Sequence, residues 1–127
     1  MFDKEKQKRV LIVEDDALLA KVLLESITSA DLDALNVKNG LEVLNAVKKF
    51  RPHIILLDLV LPGLDGFEVL KGLKADDETK NIPVFVLSNL QEVSEVKSVK
   101  ALGAEQYFIK ARSQMEKIVE AVKKRLK

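Results

Sequence analysis

With 127 residues, 47% hydrophobic and 32% charged, the chain carries enough apolar mass for one core and too much for a disordered segment. A formal net charge of +1 gives no global attraction to nucleic acid or to an anionic membrane, and no apolar run approaches the ~20 residues that cross a bilayer. Cysteine is absent, which excludes a disulfide, a thiolate nucleophile and a cysteine metal site and fits a reducing cytoplasm. The charged start, Met1 to Arg9, lacks the apolar centre of a signal peptide.

Strand-like runs alternate with helix-like stripes along the chain. Val10-Leu11-Ile12-Val13 reads as a buried strand ending in Glu14-Asp15. Asp16 then caps a helix with an apolar stripe of Leu19, Val22, Leu23 and Ile27. A weaker strand spans about Ala34 to Val37. Asn39-Gly40 turns into a helix carrying Leu44, Val47 and Phe50, which Pro52 stops. Ile54-Ile55-Leu56-Leu57 is the third strand and ends in Asp58. Pro62-Gly63 marks a loop, and Asp65 with Glu68 has capping-box spacing for a helix that buries Phe67 and Leu70. The polar stretch Ala75 to Asn81 reads as a solvated loop, and Pro83 opens a fourth strand, Val84-Phe85-Val86-Leu87, ending in Ser88.

A fourth helix is expected from about Gln91 to Leu102, with Val93, Val96, Val99 and Leu102 as core positions and Gly103 closing it. Tyr107-Phe108-Ile109 is the fifth strand and ends in Lys110. The last helix puts Met115, Ile118, Val119, Val122 and Leu126 on one face. Its cationic end, Lys123-Lys124-Arg125-Leu126-Lys127, suits the helix dipole better than it suits a nucleic-acid patch. Alternating βα units with short connections imply right-handed crossovers and an α/β fold, a doubly wound five-stranded parallel sheet with helices on both faces. One domain over residues 1–127 is expected, with no linker, repeat or output domain.

In such a sheet the ligand site lies outside the carboxyl ends of the strands. Glu14, Asp15 and Asp58 therefore converge with Ser88 and Lys110 on one edge. Clustered carboxylates repel unless a cation intervenes, and an all-oxygen set suits Mg²⁺, or Mn²⁺, better than zinc. A divalent ion, an ammonium and a hydroxyl around one carboxylate would stabilise charge on a transferring phosphoryl group.

In these residues the chain resembles the receiver domains of two-component response regulators. The resemblance rests on Val13-Glu14-Asp15-Asp16, Leu57-Asp58-Leu59-Val60-Leu61-Pro62-Gly63, Ser88 and Tyr107-Phe108-Ile109-Lys110, and spans about Lys8 to Lys127. It implies a flavodoxin-like (βα)5 fold and the following roles. Asp58 is the phosphoacceptor. Glu14, Asp15, Asp58 and the backbone carbonyl of Val60 hold Mg²⁺. Ser88 is the hydroxyl that swings toward the phosphoryl group, Lys110 contacts that group, and Tyr107 is the aromatic switch. The implied donor is a sensor histidine kinase or phosphotransfer protein. The implied output is altered binding to a protein target through the fourth helix, fifth strand and fifth helix, by a cytoplasmic monomer or a phosphorylation-dependent dimer with no nucleic-acid or membrane partner.

One departure concerns the residue after the lysine. The family usually has proline there, often in a cis peptide, whereas this chain has Ala111; a non-proline cis bond costs ~2.5–4 kcal/mol, so the expectation is a trans bond or a strained cis bond held by its surroundings. A second feature concerns lifetime. Val60 and Leu90, two residues beyond the phosphoacceptor and two beyond the hydroxyl, offer no polar atom to orient water, so slow self-hydrolysis is expected. Asn89 sits where the family commonly has a small residue. The alternative functions are a phosphatase with an aspartyl nucleophile, which would need an acid where Val60 stands, and a phosphorylation-independent interaction module on the same fold. His53, at the opposite sheet edge, reads as solvent-side rather than as a ligand or phosphodonor.

Overall fold

The computed structural model describes residues 7–89, 93–111 and 114–127. In chain order the elements are β1 (Arg9–Val13), α1 (Ala17–Ser29), β2 (Asp33–Val37), a short 3₁₀ turn (Gly40–Glu42), α2 (Val43–Phe50), β3 (Ile54–Asp58), α3 (Gly66–Ala75), β4 (Val84–Ser88), α4 (Val93–Ala101), β5 (Gln106–Ile109) and α5 (Met115–Arg125). All five strands pair in parallel in the order β2-β1-β3-β4-β5. The order reverses beside β1, so the crevice between β1 and β3 is the point where connections leave to opposite faces.

The pleat divides each apolar run between two cores. Leu11, Val13, Ile55, Leu57, Val84 and Val86 face one layer, where they meet Val43 and Val47 of α2, Val69, Leu70 and Leu73 of α3, and Val99 of α4. Val10, Ile12, Ile54, Leu56, Phe85 and Leu87 face the other, with Leu23 and Ile27 of α1 and Ile118 and Val122 of α5. Burial on both faces is why the central strands read as unbroken aliphatic runs rather than as alternating ones.

Most expected boundaries agree with the structure, with local corrections. The chain after Asn39 first makes a 3₁₀ turn, so α2 begins only at Val43 and turns Val43 and Val47, four residues apart, inward. Leu44 is left 43% exposed. The loop after α3 is not wholly solvated, since Thr79 is buried and its hydroxyl donates to the Leu73 carbonyl at 2.6 Å. His53 is half-buried at the start of β3, and its Nδ1 accepts the Arg9 N–H at 2.9 Å. In α4, Val99 is buried and Val96 and Leu102 half-buried, while Gln91 and the Val93 side chain lie outside the described residues. Gly103 closes that helix at φ +108°, a conformation that costs glycine little.

Candidate functional site

β1 delivers Glu14 and Asp15 to the crevice, and the backbone there is anchored twice. The Glu14 N–H donates to the Val37 carbonyl at 3.0 Å, and Asn36 Nδ2 donates to the Ile12 and Glu14 carbonyls at 3.0 and 3.2 Å. Asp16 caps α1 by accepting the Leu18 and Leu19 N–H groups, so the third acid of this segment is structural. On the adjacent strand end, Asp58 accepts the Val60 N–H through Oδ1 at 3.2 Å. The loop beyond it returns tightly, because Gly66 donates its N–H to the Leu59 carbonyl at 2.8 Å and opens α3. A Cβ at Gly66 would stand 2.4 Å from the Asp58 carbonyl oxygen, so only glycine lets α3 start this close to Asp58.

Lys110 bridges the two strand ends. Its Nζ lies 3.0 Å from Asp58 Oδ2 and donates to Glu14 Oε2 at 3.0 Å, with all three side chains at most 9% exposed. Backbone pairing fixes the approach, the Lys110 N–H donating to the Ser88 carbonyl at 2.7 Å. The peptide to Ala111 is trans, as expected for a residue other than proline.

Burial, reinforced by the Asp58 charge, pushes the Glu14 carboxyl up to about 7 against the opposing pull of Lys110 and the Asp16 N–H. Burial also works against the Lys110 charge, but its hydrogen bonds to Glu14 and Asp58 outweigh this and raise its proton affinity above the ordinary lysine value. Two carboxylates share one ammonium in a desolvated crevice, and that leaves negative charge in excess.

The excess is suited to a cation. Oxygen atoms of Glu14, Asp15 and Asp58 lie within 4.8 Å of one another. Glu14 Oε1 is buried and 2.9 Å from Lys110 Nζ, yet no hydrogen bond satisfies it among the described residues. A buried oxygen with an open lone pair, a second carboxylate and an exposed third form the hard, acidic donor set that a small divalent cation prefers.

Ser88 and Tyr107 are brought together by a residue that sequence reasoning missed. Ser88 Oγ donates to Glu95 Oε1 at 2.8 Å, and the Tyr107 hydroxyl donates to the same oxygen at 2.5 Å. The pleat puts Ser88 and Tyr107 on the α4 side of the sheet, two pairing positions apart, and Glu95 reaches them from the first turn of α4. No local pattern separates Glu95 from the other charged residues of that helix. Val60 is 73% exposed at the crevice rim, and Leu90 lies outside the described residues. A shallow cleft of about 220 Å³ runs beside Lys110, lined by Leu18, Leu19, Val22, Asn89 and Ala111.

Known proteins give this geometry its context. The chain is 34% identical to the polar-differentiation response regulator DivK of Brucella anthropi, over 91% of this chain and 94% of that protein. It is 36% identical to the sporulation initiation phosphotransferase F of Bacillus subtilis, over 94% of each. Among solved structures, the phosphorylated cyanobacterial phytochrome response regulator RcpA superposes with a TM-score of 0.82 at 29% identity, over 92% of this chain and 91% of that one. The Mn²⁺-bound form of response regulator Rcp1 does so with a TM-score of 0.80 at 28% identity, over 91% of each. Residues 10–123 match the model of the response regulator receiver domain, and the chain belongs to that family of two-component signalling domains.

Proposed function

We propose that Asp58 accepts a phosphoryl group from a partner histidine kinase or phosphotransfer protein and that the phosphorylated chain binds a protein target differently. The observation that carries this reading is the desolvated Lys110 ammonium 3.0 Å from Asp58 Oδ2, within the acidic crevice of a receiver fold. An Asp58 oxygen attacks the donor phosphorus, a P–O bond forms, and the bond to the donor's leaving atom breaks with its electron pair departing on that atom. Lys110 neutralises charge on the phosphoryl oxygens, and Ser88 can offer them a hydroxyl hydrogen bond. Glu14, Asp15, Asp58 and the Val60 carbonyl would hold Mg²⁺, or Mn²⁺, which when bound supplies charge stabilisation to the transferring group.

Ser88 and Tyr107 then report the phosphoryl group to the face formed by α4, β5 and α5. The chain turns over no external substrate in this reading. Its phosphoaspartate is long-lived, because the exposed Val60 side chain has no polar atom to orient an attacking water. Intact mass after incubation with acetyl phosphate and Mg²⁺ tests the reading. A phosphoryl-sized gain is expected in the wild type and not in Asp58→Asn or with chelator. No gain with small donors or with a kinase panel would sink the phosphoacceptor role, and a phosphoprotein half-life of seconds would sink the slow hydrolysis.

A further inference from the structure

We propose that Glu95 is a positioning residue that ties the hydroxyls of Ser88 and Tyr107 to one carboxylate oxygen and releases them when a phosphoryl group on Asp58 claims the Ser88 hydrogen bond. The proposal rests on the phosphoacceptor reading above. Its geometric basis is a single atom, Glu95 Oε1, which accepts from Ser88 Oγ at 2.8 Å and from Tyr107 OH at 2.5 Å, so two residues nineteen positions apart in sequence share one acceptor. Hydroxyl donation to a carboxylate is charge-assisted and stronger than a neutral hydrogen bond.

The coupling follows from proton count. A serine hydroxyl has one hydrogen, so Ser88 cannot donate to Glu95 and to a phosphoryl oxygen at once. Before phosphorylation the hydrogen goes to Glu95 and Ser88 is held toward α4. After phosphorylation the same hydrogen serves the phosphoryl group, and Glu95 loses one of its two hydroxyl donors. A half-buried carboxylate that loses a donor must rearrange or draw in water. Either response moves the Tyr107 hydroxyl and the first turn of α4, which carries Glu95. Information passes from the crevice to the α4–β5 face by exchange of one hydrogen bond.

The sole tyrosine gives a direct readout, since the chain has no tryptophan and its tyrosine emission comes from Tyr107 alone. A phenol that donates to a carboxylate is quenched, because excited-state proton transfer competes with emission. Tyrosine emission is measured in wild type, Glu95→Ala and Glu95→Gln, first without a phosphodonor and then with acetyl phosphate and Mg²⁺, with intact mass followed in parallel and folding checked by circular dichroism. Without donor, both variants should emit more strongly than wild type. With donor, wild-type emission should rise toward the variant level as the mass adduct appears, while the variants should not respond. Glu95→Ala should also be phosphorylated about tenfold faster, which corresponds to ~1.4 kcal/mol.

Equal emission from the three donor-free proteins overturns the shared-acceptor tie. A wild-type mass adduct without any emission change overturns the release step. Absence of the adduct overturns the phosphoacceptor reading and the release step with it, and the donor-free comparison still decides the tie separately.

Discussion

The two edges of the sheet use polar side chains in opposite ways. At the amino edge the buried and half-buried ones satisfy backbone. His53 accepts the Arg9 N–H, Arg9 Nε donates to the Arg51 carbonyl, Thr79 donates to Leu73, and Lys74 Nζ donates to the Lys80 and Ile82 carbonyls at 3.1 and 2.8 Å. At the carboxyl edge buried and half-buried side chains also bind one another, with Lys110 shared by Glu14 and Asp58, and Glu95 shared by Ser88 and Tyr107. Partners that are backbone atoms cannot leave without unfolding something, whereas shared side chains can be exchanged for a ligand. The amino edge is held by backbone, and the carboxyl edge carries the partners that the proposed switch would exchange.

That contrast predicts the largest effect at Lys110. Lys110→Met removes the ammonium and leaves two carboxylates desolvated, so urea unfolding in chelator should show a loss of ~3–5 kcal/mol. Millimolar Mg²⁺ should restore much of it, and a loss that Mg²⁺ does not touch would break the idea that these acids form one cation cradle. Next in size is Thr79→Val, which strips the buried Leu73 carbonyl of its hydroxyl donor and should cost ~1–2 kcal/mol. Its acetyl-phosphate labelling rate should match that of wild type. A slowed rate would mean that the two edges are coupled.

A smaller effect is expected from pH. Burial, then the Arg9 and Lys8 charges, hold the His53 pKa below the ordinary histidine value, and the imidazolium could not accept the Arg9 N–H through Nδ1. Because the folded value is the lower one, the unfolded chain binds the proton first. The contribution is present above the unfolded value and is lost as pH falls from about 6.5 through the folded value. The stability difference between wild type and His53→Gln should narrow over that acid window. A difference constant between pH 7.5 and 5 would remove His53 from the scaffold. The smallest effect belongs to Arg125 and Glu105, paired at 2.8 Å but 46% and 39% exposed. Arg125→Ala should shift stability by no more than about 0.5 kcal/mol, and salt should erase the shift.

Much of the fold was legible because burial on both faces writes itself into composition. The runs ending at Val13, Leu57 and Leu87 are strands in the structure, and the residues that follow them sit on one edge because all the strands are parallel. Asp16 and Asp65 cap helices as their local chemistry required. What escaped depended on partners distant in sequence. Thr79 sits in a stretch whose composition signals solvent, but a carbonyl six residues back takes its hydroxyl inward. Leu44 fits an amphipathic stripe, yet the preceding 3₁₀ turn resets the helix phase.

The sequence by itself determined the order of the elements, the doubly wound sheet and the convergence of Glu14, Asp15, Asp58, Ser88 and Lys110, since these follow from local periodicity and one rule of parallel-sheet topology. Only the tertiary structure decided how those groups share partners: one ammonium between two carboxylates separated by forty-four residues, and one carboxylate oxygen between two hydroxyls. Periodicity reports which side of an element is buried. A hydrogen bond between side chains depends on distances of a few tenths of an ångström, and those are set only when helices and sheet have packed.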